Sequence, residues 1–195
     1  MVVNYLQYAI LSDLHSHYKN TKKVLKHIRE VAPNAEIIGL GDLFECTIGK
    51  KKAKTTRNAK LKDAAIIEDK FLNLLTFPSI IGNQEERIAL VTGDQRFLQY
   101  EPVRIIEHAT LIHGHQIELD EDFNPTFPDF QTPLLFFGHS HEAAIYINGL
   151  RQHVPYNIPL SIDQKCYQIN VGAVVDKKEW CLYDSDKMTV TFMQA

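Results

Sequence analysis

Five short apolar runs end in residues able to ligate a metal. They are Tyr8-Ala9-Ile10-Leu11-Ser12-Asp13, Glu36-Ile37-Ile38-Gly39-Leu40-Gly41-Asp42, Ser79-Ile80-Ile81-Gly82-Asn83, Leu111-Ile112-His113 and Leu134-Leu135-Phe136-Phe137-Gly138-His139. Six of the nine histidines fall in three His-x-His pairs, His15/His17, His113/His115 and His139/His141. In extended backbone, residues two apart face the same side, so each pair can offer two imidazoles to one place. The carboxylates of Asp13 and Asp42, the amide oxygen of Asn83 and these imidazoles make a mixed donor set. It suits Mn, Zn, Fe or Ni better than Ca. There are enough donors for two ions, and two ions about 3.5–4 Å apart clamp the attacking and leaving oxygens of an in-line displacement. His27, His108 and His153 stand outside the pairs and read as structural.

The elements that must carry these residues follow from apolar spacing. Tyr8–Leu11, Ile37–Leu40 and Ser79–Ile81 read as strands. Thr21–Val31 reads as a helix, with Val24, Leu25, Ile28 and Val31 at helical spacing and Asn20 or Thr21 as its cap. Ala64–Leu75 reads as a second helix. This half has the rhythm of a parallel sheet covered by helices. From Val103 onward strand-like runs follow one another with little helix, and Asp186-Lys187 looks like a hairpin turn. The fold expected is α/β, a two-sheet mixed β-sandwich flanked by helices in four layers. Strand ends pointing the same way gather the candidate ligands at one edge. Glycine precedes the candidate at Gly41, Gly82 and Gly138, where the backbone must come close.

Composition bounds the function. The chain has 195 residues, 45% of them hydrophobic and 23% charged, which fits one globular domain spanning 1–195. A net charge of -3 argues against a dedicated nucleic-acid coat. The longest apolar runs are too short to span a bilayer, so no membrane partner is expected. Met1 to Tyr5 carries no basic n-region, so secretion is not expected. Three widely spaced cysteines without a Cys-x-x-Cys read as reduced thiols, and the location expected is cytoplasmic.

In order along the chain, Asp13-Leu14-His15, Gly41-Asp42, Gly82-Asn83, His113-Gly114-His115 and Gly138-His139-Ser140-His141 resemble the motif series of calcineurin-like metallophosphoesterases. Ile169-Asn170-Val171-Gly172-Ala173 and the hairpin from Trp180 to Phe192 are similar to the small bacterial and archaeal phosphodiesterase branch. The resemblance implies that Asp13, His15 and His141 hold a first metal and that Asn83, His113 and His139 hold a second. Asp42 would bridge them, beside a metal-bridging hydroxide as nucleophile. It implies two divalent ions, Mn first, with Fe, Ni, Zn or Mg as alternatives.

Departures from the family pattern bear on substrate. Its Gly-Asn-His-Asp/Glu motif stands here as Gly82-Asn83-Gln84-Glu85, and Gln84 cannot act as a general acid near pH 7. A protein phosphatase is therefore disfavoured and a phosphodiesterase favoured, with Gln84 and His17 as further catalytic candidates. His17 stands where that branch has Asn. Gly41-Asp42-Leu43-Phe44-Glu45 is also similar to UDP-diacylglucosamine pyrophosphatases. Only 26 positions separate His113 from His139, however, too few for their helical lid, so a lipid-linked substrate is not expected.

The expected activity is metal-dependent hydrolysis of a nucleotide-related phosphodiester. The alternatives are a nucleotide phosphatase, a pyrophosphohydrolase of dinucleoside-polyphosphate type, or a non-catalytic protein-binding scaffold. One third of the 21 basic residues lies between Lys50 and Lys62, a stretch that could attract a nucleotide or oligonucleotide phosphate or form a solvated surface. Phe123, Phe127 and Phe130 could stack on a base or pack their loop onto the body. Homo-oligomerisation is common in the branch and is a further expectation.

Overall fold

The computed structural model describes residues 6–121, 125–129, 132–162 and 166–195. Alternation along the first strand, β1 (Gln7–Leu11), already divides the interior. Tyr8 and Ile10 enter one apolar cluster, and Ala9 and Leu11 enter another. Elements then follow as α1 (Tyr18–Val31), β2 (Glu36–Gly39), β3 (Glu45–Cys46), α2 (Lys50–Ala53), α3 (Leu61–Ala64), β4 (Ala65–Ile66), α4 (Asp69–Leu72) and α5 (Asn83–Thr92). The second half holds β5 (Val103–Ile106), β6 (Ala109–Ile112), β7 (Glu118–Leu119), β8 (Pro125–Thr126), β9 (Leu134–Phe137), β10 (Ala144–Ile147), β11 (Leu150–Gln152), β12 (Leu160–Ser161) and β13 (Tyr167–Asn170). Last come α6 (Val174–Lys177), β14 (Glu179–Asp184) and β15 (Thr189–Gln194).

Two mixed sheets face each other. One has the order β12-β15-β14-β1-β2 and the other β11-β10-β13-β9-β6-β5. Their inner faces meet through Ile10, Ile38, Leu111, Phe136, Ile169, Tyr183 and Phe192, all almost fully buried. Each such side chain contributes about 1.5–3 kcal/mol by leaving water. Outside the first sheet lies α1, whose Thr21, Val24, Leu25 and Ile28 form one buried stripe. Val24, Leu25 and Ile28 join Leu11, Leu14 and Trp180 in a second cluster. Against the second sheet lies the segment that carries the short β7–β8 ladder. There Ile117 and Phe127 pack on Ile112, Leu135 and Phe137.

Parallel pairing aims the functional strands alike. β1 runs parallel to β2, and β9 runs parallel to both β6 and β13. Their C-terminal ends therefore open on one edge, where Asp13, Asp42, His113 and His139 follow directly. Ser79 and Ile80 add only single bridges, to Gly39 and Glu101. No helix among the described residues is long and apolar enough to cross a membrane.

Three local expectations are corrected. The helix over Ala64–Leu75 is broken, because Ala65 takes an extended conformation. Ala65 and Ile66 pair instead with Cys46 and Glu45, which leaves single turns on either side. The β-branched Ile66-Ile67 pair favours that exchange. A ten-residue helix, α5, stands where no element was expected. Its signal was Glu85 in the first turn and Gly93 as a left-handed C-cap after buried Ile88 and Val91. Helix α1 starts earlier than its spacing suggested. His17 is its N-cap and accepts from the Asn20 N–H, while the Asn20 amide donates to the Val175 carbonyl.

Phe127 packs against Phe137 and Tyr146, with ring centroids 5.7 and 5.1 Å apart, so it serves the body of the fold. Phe123 and Phe130 lie outside the described residues. Cys46 and Cys181 are buried free thiols and Cys166 is exposed.

Candidate metal centre

Left-handed backbone marks the edge where the strands end. Asp13, His15, Asp42, His139 and His141 all have positive φ, between 44° and 69°. Each costs about 1–3 kcal/mol and persists only where its surroundings enforce it. Here they do. The N–H groups of Leu14 and His15 both donate to the Asp42 carbonyl, the Ser16 N–H donates to Leu43, and the Val175 N–H donates to Asp13. A Cβ on Gly82 would strike the Asp42 backbone and carboxylate, and one on Gly138 would strike Ser12 and Asp13. The glycines ahead of two candidate ligands are therefore required by close approach.

The side chains form two groups. Asp13, His15 and His141 converge in one, and Asp42, His113 and His139 in the other, each with its ligand atoms within 4.8 Å of one another. Asp42 Oδ2 reaches toward both, at 3.7 Å from His15 Nε2 and 3.4 Å from His113 Nε2. The other Asp42 oxygen accepts the Gln84 N–H at 2.8 Å. Asn83 stands at the second group, its Oδ1 3.2 Å from His113 Nε2.

Three observations fit these residues to divalent cations. First, imidazole nitrogens point at one another: His15 Nε2 lies 3.2 Å from His141 Nε2, and His113 Nε2 lies 3.2 Å from His139 Nδ1. In the first pair the far nitrogens are already engaged, His15 Nδ1 with Glu45 and His141 Nδ1 with Asp176, both at 2.6 Å. His113 Nδ1 likewise donates to the Leu40 carbonyl at 2.7 Å. Facing lone pairs so close need a shared positive charge. Outer partners of this kind set the tautomer of ligating histidines. Second, Asp13 Oδ1 is buried and has no hydrogen-bond donor among the described residues. Third, one end of the Asn83 carboxamide lies against imidazole nitrogens of His113 and His139, where its oxygen would join the donor set of a bound cation.

Electrostatics agree. Burial resists protonation of His15, but Asp13, Glu45 and Asp42 outweigh it and push its pKa up to about 10. Burial also opposes His113, yet Asp42 and Asp13 hold it up at about 9. His139 goes the other way, down to about 4, through burial and the nearby His113. Burial would raise the Asp13 carboxyl, but the imidazoles of His141 and His15 bring it well below the usual range. Carboxylates thus charge the site with protons when no cation is there, and a cation entering near pH 7 displaces them.

Two further candidates turn away. Gln84 is buried, and its Oε1 accepts the Cys46 N–H at 3.1 Å. His17 is exposed at its helix cap, outside both groups. Other contributors had no role assigned from the sequence. Glu45 and Asp176 hold the outer nitrogens of His15 and His141. Glu85 accepts N–H bonds from Asp42, Phe44 and Gly82. Asn170 donates to the Gly138 carbonyl and to Ser140, steadying the His139 loop. His115 sits with its ring centroid 6.3 Å from that of His139, its pKa lowered by burial and its Nε2 3.5 Å from Glu86. The capping-box position of Glu85, the His-x-His spacing of His115 and the motif around Asn170 were the signals the sequence held for these.

The outer carboxylates give a direct test. Glu45→Gln should weaken divalent-metal affinity about 10–100-fold, with a smaller effect for Asp176→Asn on its more exposed side chain. Titration calorimetry of the metal-free protein with Mn²⁺ reads both. Unchanged affinity in Glu45→Gln would separate that carboxylate from metal binding.

Comparison with known proteins follows the same lines. Residues 6–181 match the calcineurin-like phosphoesterase superfamily domain. No curated protein matches the chain. Among solved structures, a metallophosphoesterase from Sphaerobacter thermophilus is similar at a TM-score of 0.65 and 19% identity, covering 98% of this chain and 89% of that one. Yfce, a phosphoesterase from E. coli, is similar at a TM-score of 0.52 and 17% identity, covering 93% and 90%. At these identities the likeness to both is one of fold. With the domain match spanning nearly its whole length, the chain belongs to the calcineurin-like phosphoesterase superfamily.

Proposed function

We propose that the chain, acting as one domain over 1–195, is a dinuclear metal-dependent phosphodiesterase for nucleotide-related diesters. The observation that carries this is the pair of donor groups with Asp42 Oδ2 between them. Asp13, His15 and His141 would hold one divalent ion, and Asn83, His113 and His139 the other, with Asp42 shared. Bound there, the ions would supply the charge that acidifies an attacking water and neutralises the phosphoryl oxygens. The chain's own part is to fix the donors. Glu45, Asp176 and the Leu40 carbonyl orient three imidazoles, and strained loops place the two aspartates.

Preference for a diester rests on what faces the substrate. The Gln84 Oε1 accepts the Cys46 N–H, and a carboxamide gives up no proton near pH 7, so Gln84 offers none to a poor leaving group. A pocket of about 270 Å³ beside His139, walled in part by Ile117, Phe137 and Tyr146, has room for a flat apolar group such as a base. A scaffold role is disfavoured by the two donor groups, each of which brings three ligand atoms together within 4.8 Å of one another.

The test compares bis-p-nitrophenyl phosphate with p-nitrophenyl phosphate in added Mn²⁺. The diester is expected to turn over faster. A faster monoester would overturn the diester preference. No turnover of either with Mn²⁺, Ni²⁺, Zn²⁺ or Mg²⁺, in a protein that takes up metal, would return the weight to a scaffold.

A further inference from the structure

Part of the basic stretch meets α5 in a groove that ends at the metal centre. The groove has a volume of about 260 Å³, and its walls include Lys50, Lys54, Arg87, Glu86 and Asn83. Three cations face one carboxylate there, and Glu86 lies 3.5 Å from His115. Arg96, Arg104 and Arg151 each pair with an acid. Arg87 is half-buried, and no carboxylate among the described residues pairs with it, with Lys50 or with Lys54. Two other basic residues of the stretch are engaged elsewhere. The Arg57 guanidinium donates to the carbonyls of Ala53, Lys54 and Thr56, and Lys62 lines a different hollow with Thr47 and Glu68.

A second observation comes from Asn83. One end of its carboxamide lies against His113 and His139 and the other stands 3.2 Å from Arg87 Nη2; with a cation bound, the oxygen would turn to the imidazoles and the NH₂ to Arg87. Donor then faces donor. Reversing the amide would satisfy Arg87 but would withdraw the oxygen from the metal set. An anionic oxygen accepting from both groups removes the conflict while leaving the Asn83 oxygen on the cation. A phosphate oxygen is such an acceptor, and guanidinium geometry suits it.

We propose that Arg87, with Lys50 and Lys54, forms a second phosphate subsite beside Asn83, so that the preferred substrate carries at least one phosphate beyond the one cleaved. This rests on the reading of the centre as one that cleaves disubstituted phosphates, the anhydride-linked phosphorus of a nucleoside polyphosphate included, and narrows its substrate class to polyphosphorylated nucleotides. The extra phosphate lies along α5, on the side of Asn83 away from His113.

Two measurements test it. The first is calorimetric binding of inorganic pyrophosphate to the metal-free protein. Arg87→Gln should weaken it about 10-fold or more, as should the exposed double variant Lys50→Gln/Lys54→Gln, and Arg87→Lys should restore part of it. The second is kcat/KM in Mn²⁺ for a dinucleoside tetraphosphate against bis-p-nitrophenyl phosphate. Arg87→Gln should lower the first about 10–100-fold more than the second. Binding that ignores all three substitutions, or a parallel loss on both substrates, would overturn the subsite. If wild type cleaves neither substrate yet binds pyrophosphate in an Arg87-dependent way, the subsite stands and the phosphodiesterase reading falls. Cleavage of bis-p-nitrophenyl phosphate with no Arg87 dependence in either measurement means the reverse: the phosphodiesterase reading stands and the subsite falls.

Discussion

Asp42→Asn should lower kcat by about 10³-fold, the upper range for loss of one hydrogen-bond donor that stabilises a transition state. The exchange keeps the shape of the side chain and the oxygen that accepts the Gln84 N–H. It removes the charge between the two donor groups, where Oδ2 stands 3.4 Å from His113 and 3.7 Å from His15. Metal content should fall with activity. Elemental analysis of the dialysed variant should find fewer than two ions per chain where wild type holds two. Metal-free wild type should be inactive and regain turnover on adding Mn²⁺, whereas the variant should not. Full metal occupancy with normal turnover in the variant would show that Asp42 is not shared between two ions.

Glu85→Ala should cost about 3–5 kcal/mol of stability, read by urea unfolding. Glu85 is fully buried, and its carboxylate accepts three backbone N–H groups, two of them from Asp42 and Phe44 across the site. Removing it strands those donors away from water and frees the turn that holds Asp42 at φ 50°. Burial and the neighbouring Asp42 push its pKa up to about 7, against the pull of the backbone donors. Glu85→Gln should cost less, because one end of the carboxamide still accepts while its NH₂ opposes a donor. Turnover should fall in both variants, since both loosen the Asp42 loop. A Glu85→Ala protein as stable as wild type would mean these backbone groups find other partners.

Much of this was readable along the chain because it is local. Ligand types at strand ends, glycines before them and strict alternation in β1 each depend on neighbouring residues. So does the stripe of Val24, Leu25 and Ile28 on α1. The two-sheet fold follows from such patterns, and the named donors do converge. The helix over Ala64–Leu75 failed for a non-local reason. Its apolar spacing was helical, but pairing of Ala65 and Ile66 with β3 drew the backbone into a strand. Gln84 sits beside Asn83 in the sequence, yet α5 turns its carboxamide to Cys46.

What the sequence by itself determined is which atoms are offered, two aspartates, an asparagine and imidazoles at the ends of strands that run alike. Only the tertiary structure decided how they are aimed. His15 and His141 meet across 126 positions, Glu45 takes the far nitrogen of His15, and Asp176 that of His141. Arg87 and Lys50 lie on separate helices, far apart along the chain, and share one groove. Contacts of that kind leave no periodicity to read, because they arise from the packing of whole elements rather than from the spacing within any one of them.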